Sequence, residues 1–370
     1  MDRVDIAIIG GGIAGLSLAA FLGDRQSVAV LEQEAAPGYH ATGRSAAEFV
    51  LNYNPPAICD LARASKPFFD HPPEGFSTVP LLVRRGGLVI AGPDKIDRLR
   101  AQFESLRSQV EGLAWLSPDE AHSRAPFLDP ALLGGAYFDP DYWDIEVDTL
   151  MHGYMRMAKR AGQSLLLKAG LRSATRVGGL WHLETTAGPL EARVIVNAAG
   201  GWADQVATLC GARPLGIVPH RRTAALVDLP EGINAGSLPE INEVDDLFYF
   251  KPDGGRLFIS PADETPCEPG DIQPEEIDVA WAVHHLESVS SLRVRRVAKS
   301  WAGMRTFSPD RLPVVGFDRD CKGFFWLAGQ GGFGILTSPA LGQLAAGMLC
   351  GQGGGAVFDP QRFCYDALKE

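Results

Sequence analysis

The sequence predicts an α/β fold: a βαβ domain on a parallel sheet, interrupted by an inserted α+β domain built on an antiparallel sheet. Three observations predict it. An apolar run at residues 4–9 enters Gly10-x-Gly12-x-x-Gly15, then an apolar helical stretch, then a second strand at 27–31 ending on Glu32. Helix-period and strand-period segments alternate through a buried strand at 192–199 that breaks into Ala198-Ala199-Gly200-Gly201-Trp202. Short strands at 221–228, 247–250 and 257–260 then follow one another, the last two joined by Pro252-Asp253-Gly254-Gly255.

The opening segment is a Rossmann-like dinucleotide fingerprint. Gly10 permits the tight turn, Gly12 lets backbone approach a pyrophosphate, and Gly15 lets helix and strand pack closely. The helix N-terminus offers unpaired N–H groups to phosphates. Glu32 stands where a carboxylate accepts the ribose hydroxyls of an adenosine. Small residues at Ala198 to Gly200 end a strand as a flat ligand at a sheet crevice requires, although taken alone they read first as a tight strand-to-helix turn.

Later elements follow local signals. Ser117-Pro118-Asp119-Glu120 predicts a capped helix start, with Asp148 capping a helix over 150–159. Strands are expected at 164–167 and 181–186. The C-terminal part returns to α/β character at 324–328, passes through Gly329-Gln330-Gly331-Gly332-Phe333-Gly334, and enters a helix from Ser338 (N-cap) through Met348. These shifts place one domain at 1–80, 141–213 and 299–370, and the inserted one at 81–140 and 214–298.

Composition limits the function. The chain has 370 residues, is 46% hydrophobic and carries a net charge of -11, which argues against nucleic-acid or anionic-membrane partners. No apolar run approaches the roughly 20 residues that span a bilayer, and the fingerprint starts too early for a leader segment. Six cysteines are scattered without CxxC or histidine at metal spacing. Reduced thiols, no metal and a cytoplasmic location are the expectation.

Together these motifs, with Pro37-Gly38-Tyr39-His40-Ala41-Thr42-Gly43-Arg44-Ser45-Ala46-Ala47 and Trp301-Ala302-Gly303-Met304-Arg305, resemble FAD-dependent oxidoreductases of the D-amino-acid oxidase superfamily. That superfamily includes glycine oxidase, sarcosine oxidase and the D-amino-acid dehydrogenases; within it the likeness is to the bacterial D-arginine dehydrogenases. The resemblance implies FAD held by Gly10, Gly12, Ile13, Ala14, Gly15, Glu32 and Gln33, by the loop Ala41 to Ala47, and by Leu171, Ala199, Gly200 and Trp202. It extends that contact to Gly303, Arg305 and the loop Gly331, Gly332, Phe333, Gly334, Ile335, Leu336, Thr337. Covalent members carry a cysteine just after the Trp301 strand; Thr306-Phe307-Ser308 stands here, so non-covalent FAD is expected.

Strand parity puts Trp301, Gly303 and Arg305 on one face, Arg222, Ala224 and Leu226 on another, and Leu247 with Tyr249 on a third. Arginines on apolar strands need an anion. Composition alone leaves a salt bridge and a ligand equally open. The resemblance implies that Arg222, Arg305, Tyr53 and Tyr249 hold a substrate carboxylate. It further implies hydride transfer from Cα of a small α-amino acid of D configuration to flavin N5, then hydrolysis of the imino acid to 2-oxo acid and ammonia. N-alkyl amino acids, opines and 2-hydroxy acids are alternatives on the same scaffold, as is an accessory flavoprotein subunit of a hetero-oligomeric amine dehydrogenase. Oxygen, a quinone or a carrier could take the electrons.

His40 and His220 qualify as bases by type alone; Tyr53 is a candidate for deprotonating the amine. Among pocket residues (Glu48, Gly87, Gly303, Gly332, Leu336), three depart from the resemblance. Gly87 replaces an acid that grips a guanidinium and Leu336 a polar residue, both pointing to a roomier pocket. Glu48 replaces a histidine: it reads either as a surface acid or as an acceptor for a cationic substrate group.

Overall fold

The computed structural model describes residues 2–52 and 55–363. Strand Asp2–Ile9 lies between Val28–Leu31 and Gly188–Asn197, parallel to both. Ser164–Leu166 and Phe324–Ala328 extend this parallel set on either side. Such strands are covered on both faces, so Ile6, Ala7 and Ile8 are fully buried and the run is continuous rather than alternating. One cover is helix Ile13–Leu22, which crosses helix Ser338–Leu349 closely: a Cβ on Gly342 would meet Phe21 at 2.9 Å.

The second sheet has ten strands. Its spine runs Val297–Phe307, Val218–Val227, Arg256–Ser260, Tyr249–Asp253, Glu240–Glu243, Gly87–Ala91 and Gly135–Asp139. All neighbours in that spine are antiparallel except Glu240–Glu243 and Gly87–Ala91, which are parallel. One face, carrying Leu88, Ile90, Ala225, Ile241, Phe250 and Ile259, forms a dry core under helix Glu276–Ser288. The opposite face looks toward the parallel sheet. Strand Val297–Phe307, whose residues from 299 the sequence groups with the parallel part, hydrogen-bonds here, along Val218–Val227. A three-stranded sheet of Glu48–Val50, Tyr142–Ile145 and Leu82–Arg84 closes one side.

The capping box at Ser117 forms as predicted, Ser117 and Glu120 each accepting from the other's backbone. Two predicted caps move. Asp148 lies inside helix Val147–Arg160, whose N-cap is Glu146. Ser338 is likewise the first helical residue after Thr337, and its hydroxyl pairs with Tyr154 at 3.0 Å. The predicted strand at 247–250 begins at Tyr249, and Leu247 is exposed; the hairpin turn shrinks to Gly254-Gly255. Among the described residues no helix is long and apolar enough to cross a membrane, and no metal-holding group of acids, histidines or cysteines occurs.

Candidate active site

Two cavities meet between the sheets. The first, about 430 Å³, runs from the fingerprint to the face of the second sheet. Gly10 has φ +111°, and a Cβ there would stand 2.4 Å from Ala198 O. A Cβ on Gly15 would lie 2.1 Å from Gly10 O. Gly12 differs: its Cβ would meet only Thr42 Oγ1 at 3.6 Å, so this position opens on the cavity. Thr42 accepts the Ile13 N–H at 3.2 Å, tying the 41–47 loop to the helix start.

Glu32 is buried, with Oε2 accepting from Gly11 N–H and Oε1 from Glu34 N–H, both at 2.9 Å. Each oxygen keeps acceptor capacity for a ribose hydroxyl. Gln33, Gly170, Leu171, Ala199, Gly200 and Trp202 line the same end. Arg44 fixes the loop to the second sheet: it donates to Ala302 O at 3.0 Å and pairs with Asp271, while Trp301 Nε1 donates to Arg44 O at 3.1 Å. FAD fits the residues present: a glycine cradle at a helix start, an acid at the end of the second strand, and a small-residue wall at Ala46, Gly303, Gly331, Gly332 and Gly334.

Of the expected cofactor residues, Gly10, Gly12, Ile13, Ala14, Ala41, Thr42, Arg44, Ser45, Arg305 and Ile335 also belong to this wall. Gly15, Gly43, Ala47, Leu336 and Thr337 do not; Phe333 lines the second cavity.

The second cavity, about 570 Å³, lies beyond the first. Arg222, Tyr249 and Arg305 line both and stand at the junction. Register explains why. Arg222 pairs with Gly303, His220 with Arg305, and Ala224 with Trp301, so the two strand faces predicted by parity are one sheet face. Tyr249 joins it through its pairing with Ser260. Gly303, opposite Arg222, supplies no side chain, and Gly332 leaves room for Arg305: a Cβ there would touch its Cζ at 3.0 Å.

Arg222 does meet an acid: Nη2 donates to Glu264 at 3.0 Å, and Glu264 also binds Arg311 at 2.6 Å. Its Nε is buried with no partner among the described residues. Burial and then the nearby Arg305 charge lower the Arg222 pKa, so an anion at the junction is electrostatically favoured. Arg221 faces the other way, onto Glu275 and Asp278.

Tyr53 lies outside the described residues. His40 pairs with Glu34 at 2.9 Å and packs on Trp202, at the Glu32 end of the first cavity. His220 sits on Phe307 and is in neither wall. The expectation that Gly87 and Leu336 widen the pocket is corrected. The space beside Gly87 is filled by the Tyr142 ring, 2.8 Å from a would-be Cβ, and Leu336 is packed in the core at 3% exposure.

Sequence reasoning missed a charged cluster beneath the second cavity. Lys251 Nζ reaches Asp144 and Ala46 O, both at 2.7 Å, and Arg85 pairs with Asp144. Glu48 lies opposite Asp144 across a strand pair and lines the cavity. Burial opposes charge on Lys251, yet Glu48, Asp144 and Glu240 hold its pKa up. Burial, followed by the charge and hydrogen bond of Glu48, pushes Glu240 well above the carboxylate range. Its carboxyl hydrogen-bonds that of Glu48. A lysine between Phe250 and Pro252 was the available signal, because burial of Lys requires partners.

Known proteins resemble the chain in sequence and in fold. The chain is 27% identical over 308 residues to hydrogen cyanide synthase subunit HcnC of Pseudomonas aeruginosa, covering 78% of this chain and 70% of that one. It is 25% identical to the mitochondrial dimethylglycine dehydrogenase of Rattus norvegicus, over 92% of this chain but only 42% of that protein. The crystal structure of glycine oxidase from Geobacillus kaustophilus superposes with a TM-score of 0.83 at 24% identity, covering 98% and 99% of the two chains. Residues 5–348 match the family model described as FAD dependent oxidoreductase, and the chain belongs to that DAO family, whose cofactor is FAD.

Proposed function

We propose that this chain oxidises a small α-amino acid, of D configuration, to its imino acid, which water converts to 2-oxo acid and ammonia. The observation that carries this reading is the junction of the cavities, where Arg222, Arg305 and Tyr249 share one sheet face. Two guanidiniums there offer planar, bidentate donors to a carboxylate, and Tyr249 adds a hydroxyl. Clamped at that end, the substrate Cα is oriented toward the first cavity, which converts a collision into a positioned encounter. Bound FAD supplies a two-electron acceptor able to take hydride from that carbon. Among the described residues neither histidine candidate reaches the junction, which leaves Tyr53, outside those residues, as the candidate for deprotonating the amine.

Anaerobic mixing of the holoprotein with D- and L-amino acids tests this, by loss of the oxidised-flavin band at about 450 nm. Structural relatives include proteins named for L-proline and for L-amino acids, so both enantiomers belong in the panel. Bleaching by D-amino acids is the expected result; bleaching by none would sink the reading. An aerobic arm read for peroxide separates oxidase from dehydrogenase. A second reading, a subunit acting within a larger assembly, draws on the relative named as a synthase subunit. It predicts bleaching only with a partner present.

A further inference from the structure

The second cavity carries more acid than a carboxylate clamp needs. Four of its acids are accounted for by place. Glu243 binds Lys95 at 2.7 Å, Glu264 spans Arg222 and Arg311, and Asp310 binds Arg362 at 2.6 Å. Asp246 stands exposed in the 244–248 connection, where it feels Arg222 and Arg305. Glu48 is different. Among the described residues no Lys, Arg or His ion pair with it is found, and its Oε1 has no hydrogen-bond partner. That oxygen is buried, and the hydrogen-bonding neighbour of the Glu48 carboxyl is the carboxyl of Glu240.

Charge counting shows what is missing. The cluster holds two cations, Lys251 and Arg85, both engaged by Asp144. Their ion pairs lie on the Asp144 side, and among the described residues neither pairs with Glu48. A half-buried carboxylate without a contacting cation is costly, and a cationic ligand removes that cost. Glu48 lines only the second cavity, whereas the arginines line both. A substrate held by its carboxylate at the junction, with Cα turned to the first cavity, has room to fold its side chain back into the second cavity, on whose wall Glu48 stands.

We propose that Glu48 is a specificity-determining residue that receives a positively charged group at the far end of the substrate, so that the site selects carboxylates bearing a distal ammonium. This rests on the carboxylate clamp proposed above. Glu240 and Lys251 are positioning residues: one hydrogen-bonds the Glu48 carboxyl, the other stands beside it, held by Asp144 and Ala46 O.

Calorimetric titration of the holoprotein with 5-aminopentanoate and with pentanoate tests it, since both lack an α-amine and binding is read apart from turnover. Wild type should bind 5-aminopentanoate about tenfold tighter or more. Glu48→Gln should bring the two within about twofold while keeping pentanoate affinity, which also shows that the variant is folded. Equal binding of both acids to wild type would overturn the assignment without any variant, as would a preference that survives in Glu48→Gln. If neither acid binds, or if Arg222→Met leaves pentanoate affinity unchanged, the clamp falls and this proposal falls with it.

Discussion

Single residues at this site are held in states that their neighbours dictate, and Asp139 shows how that can be measured. It is 1% exposed, on the same sheet as the clamp, and accepts the Asp141 N–H at 2.8 Å. Burial is the main cause that raises its pKa from 3.8 to about 6. A carboxyl whose folded pKa is raised adds stability below its unfolded pKa and loses it as pH rises through the folded one. Stability should fall by about 2 kcal/mol between pH 4 and 7 on this account. Chemical denaturation of Asp139→Asn across that range should lack this decline; an unchanged pH slope would contradict it. Gly332 gives a second residue-level expectation. A methyl group at Gly332 meets the flexible end of Arg305 rather than backbone, so Gly332→Ala should fold normally. If the clamp works as proposed, it should raise KM for a carboxylate substrate by about tenfold, with Tm nearly unchanged.

At the scale of elements, much of the site was legible because strand geometry has a fixed period. Alternation alone grouped Arg222 with Ala224, and Gly303 with Arg305; only register could show that the two groups share a face. That register depends on which strands are neighbours, information absent from either strand. The same limit hid Glu240 and Lys251. Glu240 is 2% exposed because it pairs beside Gly87, a neighbour its own stretch of sequence does not reveal. Lys251 finds Ala46 O across a sequence separation of 205 residues. Helix starts failed more locally. Asp148 and Ser338 have good capping chemistry, but the helices begin one or two residues earlier than it implied. Tyr142 filling the space beside Gly87 is likewise a tertiary event, invisible where only the glycine is read.

The whole molecule divides its labour between two sheets. The parallel one presents a strand-end crevice for the dinucleotide, and the second presents charged side chains from a face whose back is a dry core. The loop 41–47 belongs to neither, and is tied to both through Thr42 and Arg44. Cofactor binding should thus stabilise the assembly as one unit. Adding FAD to apoprotein at about one hundred times its dissociation constant should contribute about 2.7 kcal/mol, seen as a raised Tm. Glu32→Ala should shrink the gain by weakening FAD affinity; a full gain in that variant would show that Glu32 is not part of the site.

Glu264 has a consequence of its own. Because it bridges Arg222 and Arg311, a carboxylate arriving at the proposed clamp would have to compete with a resident anion for Arg222. On that proposal the affinity for the carboxylate is a difference between two ion pairs and should be modest. Glu264→Gln should remove the competitor. Pentanoate should bind several-fold tighter by titration, while the ligand-free protein melts lower because two guanidiniums have lost their shared counter-charge. Tighter binding with no loss of Tm, or the reverse, would show that the exchange does not occur.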